Sequence, residues 1–571
     1  LKTTLAATVL GGCGVRASED PGSAASAQGT KPPVNILVIL VDEMRPPPGF
    51  PYGLPLNWSS VLSNMIALWS ESACFTNHFT AASDCTPSRG TLVTGLYAQQ
   101  HWLLTTRTGP SPSLQTAFPT YGTMLRKQGY STAWYGKWHL SDVSGATNPL
   151  EGYGFSQGTS PDPDGSAGQG AEQDGNIANQ FVTWLGKQSP SAGPWCMTVS
   201  FVNPHDVQWF WTGSDCLTNA AAVGETDPPV NGYDASYFAQ WGGNPCANFE
   251  VPGSTTTVKP DMQLAFANFT AKTWGPISWS QSTLLPATPA PVCPVPSDPS
   301  AQPFNYWYKL LQLYLYVQGL VDQQIGVVMN ALKSSPFADN TVVVFTSDHG
   351  EYAGAHGQRG KGGMGYDEAM RVPLSVYDPT GQYVASPGVV RTGLTSSADL
   401  APLLVTIAGR GSTSPWSASG SPYSYLSGRF DLSTMLANPA APGRSYVLYS
   451  TDECFPGIDP TEVASHVLSY RTAQAKLNVY SYWQTGTVTI DTTQAQQLEL
   501  YDYRGGDTSE VSNVASSSSL TTPYEATPLG TGSAPGLMAT ELQAPLPSYL
   551  QSAQQQAITQ YVEYAPIAAR A

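Results

Sequence analysis

Two unbroken apolar runs, each closed by a pair of ionisable residues, restrict what this chain can fold into more than any other feature. Val34 to Met44 reads "VNILVILVDEM", and Thr341 to Glu351 reads "TVVVFTSDHGE". Branched aliphatic residues without polar alternation predict strands buried on both faces, which requires a sheet covered on both sides. Between the runs, "YGTMLRKQGYSTAWYGKWHL" reads as a helix, a capping Gly129 and then a strand. Tyr306 to Ser335 is the most strongly helical segment and leads directly into the second run. Helices alternating with buried strands predict an α/β sheet sandwiched by helices. Ligands of such sheets bind beyond the carboxyl ends of the strands, where Asp42, Glu43, Asp348 and His349 stand.

A chain of 571 residues can bury a large core and accommodates two or more domains, or one large domain with a satellite. Its net charge of −16 and lack of Lys/Arg clusters exclude nucleic acid as a partner. Residues 1–33 read as a leader and linker. "LKTTLAATVLGGCG" is too short to span a bilayer, and "LGGC" reads either as a lipobox with a lipid anchor at Cys13 or as an ordinary signal peptide with an incidental cysteine. Both readings export the protein, to the periplasm, the cell surface or the medium. In an oxidising compartment, disulfides are expected among Cys74, Cys196, Cys216, Cys246, Cys293 and Cys454, with the pairing left open.

The texture divides the rest into a domain over 34–435, with an irregular Trp-, Pro- and Cys-rich insertion at 206–305, and a C-terminal α+β subdomain over 436–571. The insertion reads as a substrate lid. In the last segment "SHVLSYRTAQAKLNVYSYW", "TVTIDTT" and "QLELYD" read as short antiparallel strands, followed by a closing helix near Gln551 to Tyr564.

"CTPSRGTLVTG", Cys85 to Gly95, resembles the Cys-x-Pro-Ser-Arg signature of the type I, formylglycine-dependent sulfatases of the alkaline phosphatase superfamily. "VDE", "GKWHL" at Lys137 to His139, "NPH" at Asn203 to His205, "SDHGE" and "KGGMGYDEAMRVPL" from Lys361 follow in matching order. The resemblance runs from about residue 34 to 510 and implies an alkaline-phosphatase-like fold: a large mixed, mostly parallel sheet between helices, with a smaller C-terminal antiparallel sheet.

It further implies that a formylglycine-generating enzyme converts Cys85 to 3-oxoalanine, whose hydrate attacks sulfur with one hydroxyl and expels sulfate with the other. The plain alternative for Cys85 is a buried thiol or half-cystine. By the same resemblance Asp42, Asp348, His349 and residue 85 hold one divalent cation, and Glu43 either reaches it or points away. Hard oxygen ligands make Ca2+ the first expectation, while the imidazole of His349 admits Mn2+ or Zn2+. Arg89 reaches back toward residue 85 or the metal-bound carboxylates. Lys137 steadies the hydrate and His139 serves as its base, the two facing one side of an extended segment. His205 and Lys361 serve the leaving group, with Arg359 competing for the role of Lys361. His356 reads as structural, and His78, His101 and His466 carry no motif.

The implied activity is hydrolysis of sulfate monoesters of a small molecule or carbohydrate, an arylsulfatase-like reaction. The alternative in the same superfamily is a phosphonate monoester hydrolase or phosphodiesterase. A third reading is an inactive relative that binds sulfated glycans through aromatic residues between Gln208 and Trp279.

Overall fold

The computed structural model describes residues 29–54, 56–107, 112–143, 147–209, 248, 250, 252, 259–274, 304–453, 455, 457–484, 487, 489–515, 538 and 541–568. Strands β1 (Asn35–Asp42), β2 (Ser72–Phe75), β3 (His78–Phe79), β4 (Ser131–Gly136), β5 (Ser156–Gln157) and β6 (Trp195–Pro204) precede the long helix Phe304–Lys333. After it come β7 (Thr341–Ser347), β8 (Leu374–Tyr377) and β9 (Thr395–Ser396). Seven of these strands form one sheet in the order β2-β8-β7-β1-β6-β4-β5, and β3 pairs with β9. β1 runs parallel to both β6 and β7, and β4 parallel to β6 and β5, while β8 is antiparallel to β7 and β2. The expected mixed, mostly parallel sheet is what the chain forms.

Both apolar runs are fully buried central strands, and their side chains alternate between two cores. Ile36, Val38 and Leu40 enter one core with Val342 and Val344. Leu37, Ile39 and Val41 enter the other with Val343 and Phe345. Each such side chain contributes about 1.5–3 kcal/mol by leaving water, so two covered faces explain why no polar residue interrupts either run. The helices Phe304–Lys333 and Gln169–Leu185 cover the second face through Leu311, Val321, Ile177 and Phe181. The helices Tyr121–Arg126 and Leu400–Ala408 cover the first through Met124, Leu403 and Leu404.

A four-stranded antiparallel sheet, β10 (Tyr446–Thr451), β11 (His466–Thr472), β12 (Ala475–Ser481) and β13 (Gln497–Asp502), follows in simple order. The helix Ser548–Ala568 ends the described chain and packs Leu550 and Ala553 on the main core. No helix among the described residues is long and apolar enough to cross a membrane.

Several local expectations need correction. "TVTIDTT" is not a strand: its described residues make one isolated bridge, Ile490 to Trp483, before Asp491 accepts from the Thr493 backbone N–H at 2.9 Å and turns the chain. The insertion is not uniformly irregular, since Asp261–Trp274 is a helix that packs Phe266 against Phe455 and Tyr352. Cys74 and Cys196 form no disulfide. They carry free buried thiols and lie in different cores on opposite faces of the sheet. Cys216, Cys246, Cys293 and Cys454, the leader with Cys13, and most of the expected lid lie outside the described residues.

Candidate active site

Because β1, β4, β6 and β7 run parallel, their carboxyl ends meet at one edge of the sheet. Asp42 ends β1, Lys137 follows β4, His205 follows β6, and Asp348 and His349 follow β7. The fifth contribution is the N-terminus of the helix Cys85–Thr94, all of whose residues are buried.

Cys85 Sγ lies 3.2 Å from His349 Nε2, 3.7 Å from Asp42 Oδ1 and 3.7 Å from Lys137 Nζ. The potential metal-binding atoms of Asp42, Cys85, Asp348 and His349 all fall within 4.8 Å of one another. His349 Nδ1 faces the Gly350 carbonyl at 3.0 Å. A carbonyl only accepts, so Nδ1 carries the proton and the Nε2 lone pair points into the cluster.

Arg89 holds the two carboxylates together. Its Nε donates to Asp348 Oδ2 at 2.8 Å, one terminal nitrogen to Asp42 Oδ2 at 2.9 Å, and the other to the Lys137 carbonyl at 2.7 Å and Ser200 Oγ at 3.0 Å. Lys137 Nζ pairs with Asp42 Oδ2 at 2.7 Å. Burial works to raise the Asp42 pKa, but Lys137, His205 and Arg89 outweigh it and hold the group well below the usual carboxylate range. Burial and the adjacent Asp42 charge push the Cys85 thiol up to about 12, so a free thiol here stays protonated.

The expectation that Lys137 and His139 share one face of an extended segment is overturned. β4 stops at Gly136, whose backbone (φ 91°) approaches Ser200 so closely that a Cβ there would sit 1.8 Å from its carbonyl oxygen. His139 is itself left-handed, with φ 58°. Asp162 stabilises the turn by accepting from the backbone N–H groups of Trp138 and His139 at 2.8 and 2.7 Å. The two side chains diverge: Lys137 enters the cluster, while His139 Nε2 donates to the Arg107 carbonyl at 2.8 Å. His139 Nδ1 therefore keeps its lone pair, is buried, and has no hydrogen-bond partner among the described residues. Burial, with Lys137 and Arg89 nearby, holds this imidazole well below the ordinary histidine range.

Glu43 lies outside the four-residue cluster. Its backbone is left-handed (φ 69°) and pinned at both ends, the N–H donating to Asp348 Oδ1 at 3.1 Å and the carbonyl accepting from the Tyr314 hydroxyl at 2.6 Å. Its carboxylate pairs with Lys361 Nζ at 2.8 Å, lies 3.7 Å from His205 Nε2 and accepts from Gln208 Nε2. Burial raises the Glu43 pKa, Lys361 opposes this, and Glu351 adds to the rise. His205 is held well below the ordinary range by burial, Lys361 and Lys137. Arg359 gives a terminal nitrogen to the Gln208 carbonyl at 2.7 Å, so Lys361 rather than Arg359 joins Glu43. His356, expected to be structural, lies apart from the Cys85 cluster. It stacks on Tyr366 with ring centroids 3.7 Å apart and pairs with Glu250 at 2.6 Å.

Sequence reasoning missed Asp162, Gln208, Glu351 and Thr451. Glu351 binds the loop that carries Lys361 by accepting from the Gly360 N–H at 2.6 Å and the Ala353 N–H at 3.0 Å. Thr451, at the end of β10, donates to Asp84 Oδ2 at 2.7 Å beside the N-terminus of the helix Cys85–Thr94. Only Glu351 sits in a motif, as the last residue of "SDHGE"; Asp162, Gln208 and Thr451 sit in none.

A buried cysteine at a helix N-terminus, ringed by carboxylates, a lysine and an imidazole at the carboxyl ends of parallel strands, makes one preorganised charged site. Residues 34–410 match the family model described as Sulfatase, and the chain belongs to the sulfatase family. It is 28% identical over 356 residues to the protein named "Uncharacterized sulfatase YidJ" of Escherichia coli (strain K12), a match covering 58% of this chain and 59% of that relative's length. The chain thus spans about three fifths of that relative. Among solved structures it resembles BT1596, a 2-O GAG sulfatase, with TM-score 0.58 and 16% identity over 86% of this chain and 89% of that one. It also resembles the phosphonate monoester hydrolase of Silicibacter pomeroyi, with TM-score 0.54 and 20% identity over 86% and 92% of the two chains. These two likenesses establish the fold.

Proposed function

We propose that this protein hydrolyses sulfate monoesters, with residue 85 in its formylglycine form and one divalent cation held by Asp42, Asp348, His349 and residue 85. The observation that carries the reading is the convergence on Cys85 Sγ of His349 Nε2, Asp42 Oδ1 and Lys137 Nζ, all within 3.7 Å. The donor set suits a cation: two buried carboxylates and an imidazole whose lone pair is turned inward. With Glu43 engaged by Lys361, only two carboxylates remain in the cluster, which moves the preference from Ca2+ toward Mn2+. Bound there, the cation supplies positive charge beside residue 85 and the sulfuryl oxygens.

The chain's own groups divide the remaining work. Arg89 fixes the spacing of Asp42 and Asp348, and Lys137 places a second positive charge beside residue 85. His139 offers its Nδ1 lone pair as the base on the residue-85 side, its tautomer set by the Arg107 carbonyl. His205 and Lys361 face the ester oxygen that departs. Burial first, and then the repulsion of Lys361 and Lys137, keeps His205 neutral; an arriving sulfate offsets that repulsion and so favours the protonated form that donates to the leaving group. Export belongs to the same proposal and rests on the leader at residues 1–33.

Hydrolysis of singly charged phosphorus esters is the second reading, favoured by the presence of His349 and by a cluster that, among the described residues, holds only two carboxylates. The test of the main reading is mass spectrometry of the peptide spanning Cys85, on material from a host with the converting enzyme, paired with a sulfate-release assay. Thiol replaced by aldehyde or its hydrate, in proportion to activity, is the expected result. An unmodified thiol in fully active material contradicts the reading.

A further inference from the structure

His205 and Gln208 lie three residues apart in the single 3₁₀ turn His205–Trp209. In a 3₁₀ helix residues i and i+3 eclipse, so both side chains leave the turn on one side. That side faces Glu43. Gln208 Nε2 donates to Glu43 Oε1, and His205 Nε2 stands 3.7 Å from Oε2, the oxygen that Lys361 Nζ holds at 2.8 Å. The same Gln208 amide also donates to Glu351 Oε2 at 3.1 Å, so one NH2 group bridges two buried carboxyl groups that also hydrogen-bond each other. Its main chain is fixed from the other side by Arg359. Gly360 lets the loop come this close: a Cβ there would lie 3.2 Å from Gln208 Nε2.

Glu43 has somewhere else to go. Its ligand atom, with those of Asp42 and His205, falls in a second group within 4.8 Å, so its carboxylate already borders Asp42. Glu43 also directly follows Asp42, and only its left-handed backbone and these side-chain bonds separate it from the Cys85 cluster. A third carboxylate turned into that cluster would strengthen cation binding and leave Lys361 without its partner.

We infer that Gln208 is a positioning residue that holds the Glu43 carboxylate on Lys361 and away from the Asp42–Cys85–Asp348–His349 cluster. The inference rests on the proposed cation site and deepens it. Through Gln208 the beginning of the insertion sets how many carboxylates the cation meets. Outer partners of metal ligands typically change affinity by 10–100-fold, which sets the scale expected here.

The test is a Mn2+ titration of the full chain, by calorimetry, on wild type, Gln208→Leu, Gln208→Met, Glu43→Gln and the double variants. Both Gln208 variants should bind Mn2+ about tenfold more tightly than wild type, and the gain should vanish in the Glu43→Gln background. A loss of packing would weaken binding, so tightening separates positioning from a merely structural role. Unchanged or weaker affinity in both single variants, or tightening that persists without Glu43, overturns the inference. Asp348→Asn provides the separate check: if it leaves wild-type Mn2+ affinity unchanged, the cation reading fails and this inference falls with it.

Discussion

Two buried charge clusters in this molecule are built from the same residue types and have opposite characters. One is the Cys85 site. The other joins the C-terminal sheet to the loop after β7 and to the helix Asp261–Trp274. There Asp367 pairs with Arg471 and Lys476, each at 3.0 Å, and Lys476 also with Glu510 at 2.5 Å. Lys259 pairs with Glu250 at 3.0 Å and Glu499 at 3.6 Å, and His356 lies between Glu250 and Glu368. Tyr366, Tyr480 and Tyr501 all donate hydroxyls to Glu499. In this second cluster each charge meets an opposite charge supplied by the chain. In the first, His139 Nδ1 and His205 Nδ1 have no hydrogen-bond partner among the described residues, and the His349 lone pair meets only the Cys85 sulfur, at 3.2 Å. Buried polar groups left unanswered cost stability. The second cluster also keeps such atoms, His356 Nε2 and Glu368 Oε2, but these two face each other at 3.6 Å; it is arranged to hold its parts together, and the first, whose open nitrogens have no such counterpart among the described residues, to receive something.

The largest expected effect breaks the first cluster. Arg89→Leu removes the group that bonds both Asp42 and Asp348, and kcat/KM for an aryl sulfate should fall by at least about 10³-fold, on the scale of losing a preorganised electrostatic group. A loss below tenfold would show that the carboxylates keep their spacing without it.

Next in size is the matching lesion in the second cluster. Lys476→Met strands Glu510 and leaves Asp367 with Arg471 alone, and chemical denaturation should show about 3–5 kcal/mol less stability, the usual consequence of removing one partner of a buried pair. Activity per folded molecule should stay near wild type. If activity fell as steeply as in Arg89→Leu, the division between receiving and holding clusters would be wrong.

A subtler effect separates the two sides of the Cys85 site. His205→Ala should cost about 10²-fold with alkyl-like, poorly acidic leaving groups and much less with nitrophenol. Equal losses across a leaving-group series would remove His205 from the acid's role.

The smallest effect is a pH dependence in the second cluster. Burial works against the charged form of His356, but Glu250 and Glu368 outweigh it and raise its pKa to about 9, above the ordinary histidine range. A group raised in the folded state adds stability below its unfolded pKa and loses it as pH climbs through the folded value. His356 should therefore contribute about 1–3 kcal/mol at pH 6, declining to nothing above about pH 9. Denaturation curves of wild type and His356→Gln should converge at pH 9.5. A gap that stays constant with pH would contradict this account of His356.

What the sequence made legible follows the same division. Strands β1 and β7 were readable because two covered faces leave no room for polar residues, and that pattern needs no knowledge of partners. Cys85, Arg89, Lys137, His205 and Lys361 were readable because they stand in short segments whose order matches a family. His139 was placed on the wrong local geometry, since a strand-like string does not reveal a left-handed residue or a carboxylate as distant as Asp162. Gln208 carries no pattern at all; its meaning comes from Glu43 and Glu351, 165 and 143 residues away. The ion pairs of the second cluster are equally silent, because their members come from separate segments that only the folded chain brings together.

The central claim is that the Cys85 cluster is a site for transfer of a sulfuryl group, and one comparison tests it most directly. A single preparation, one nitrophenyl leaving group and four transferred groups (sulfate, phosphonate monoester, phosphate diester and phosphate monoester) give four values of kcat/KM. Sulfate and phosphonate monoesters carry the same single charge on a tetrahedral centre, so weak activity on the singly charged phosphorus esters is expected. The doubly charged phosphate monoester should be the poorest. The account predicts that the sulfate has the highest value. A phosphonate or a diester that exceeds the sulfate would contradict it.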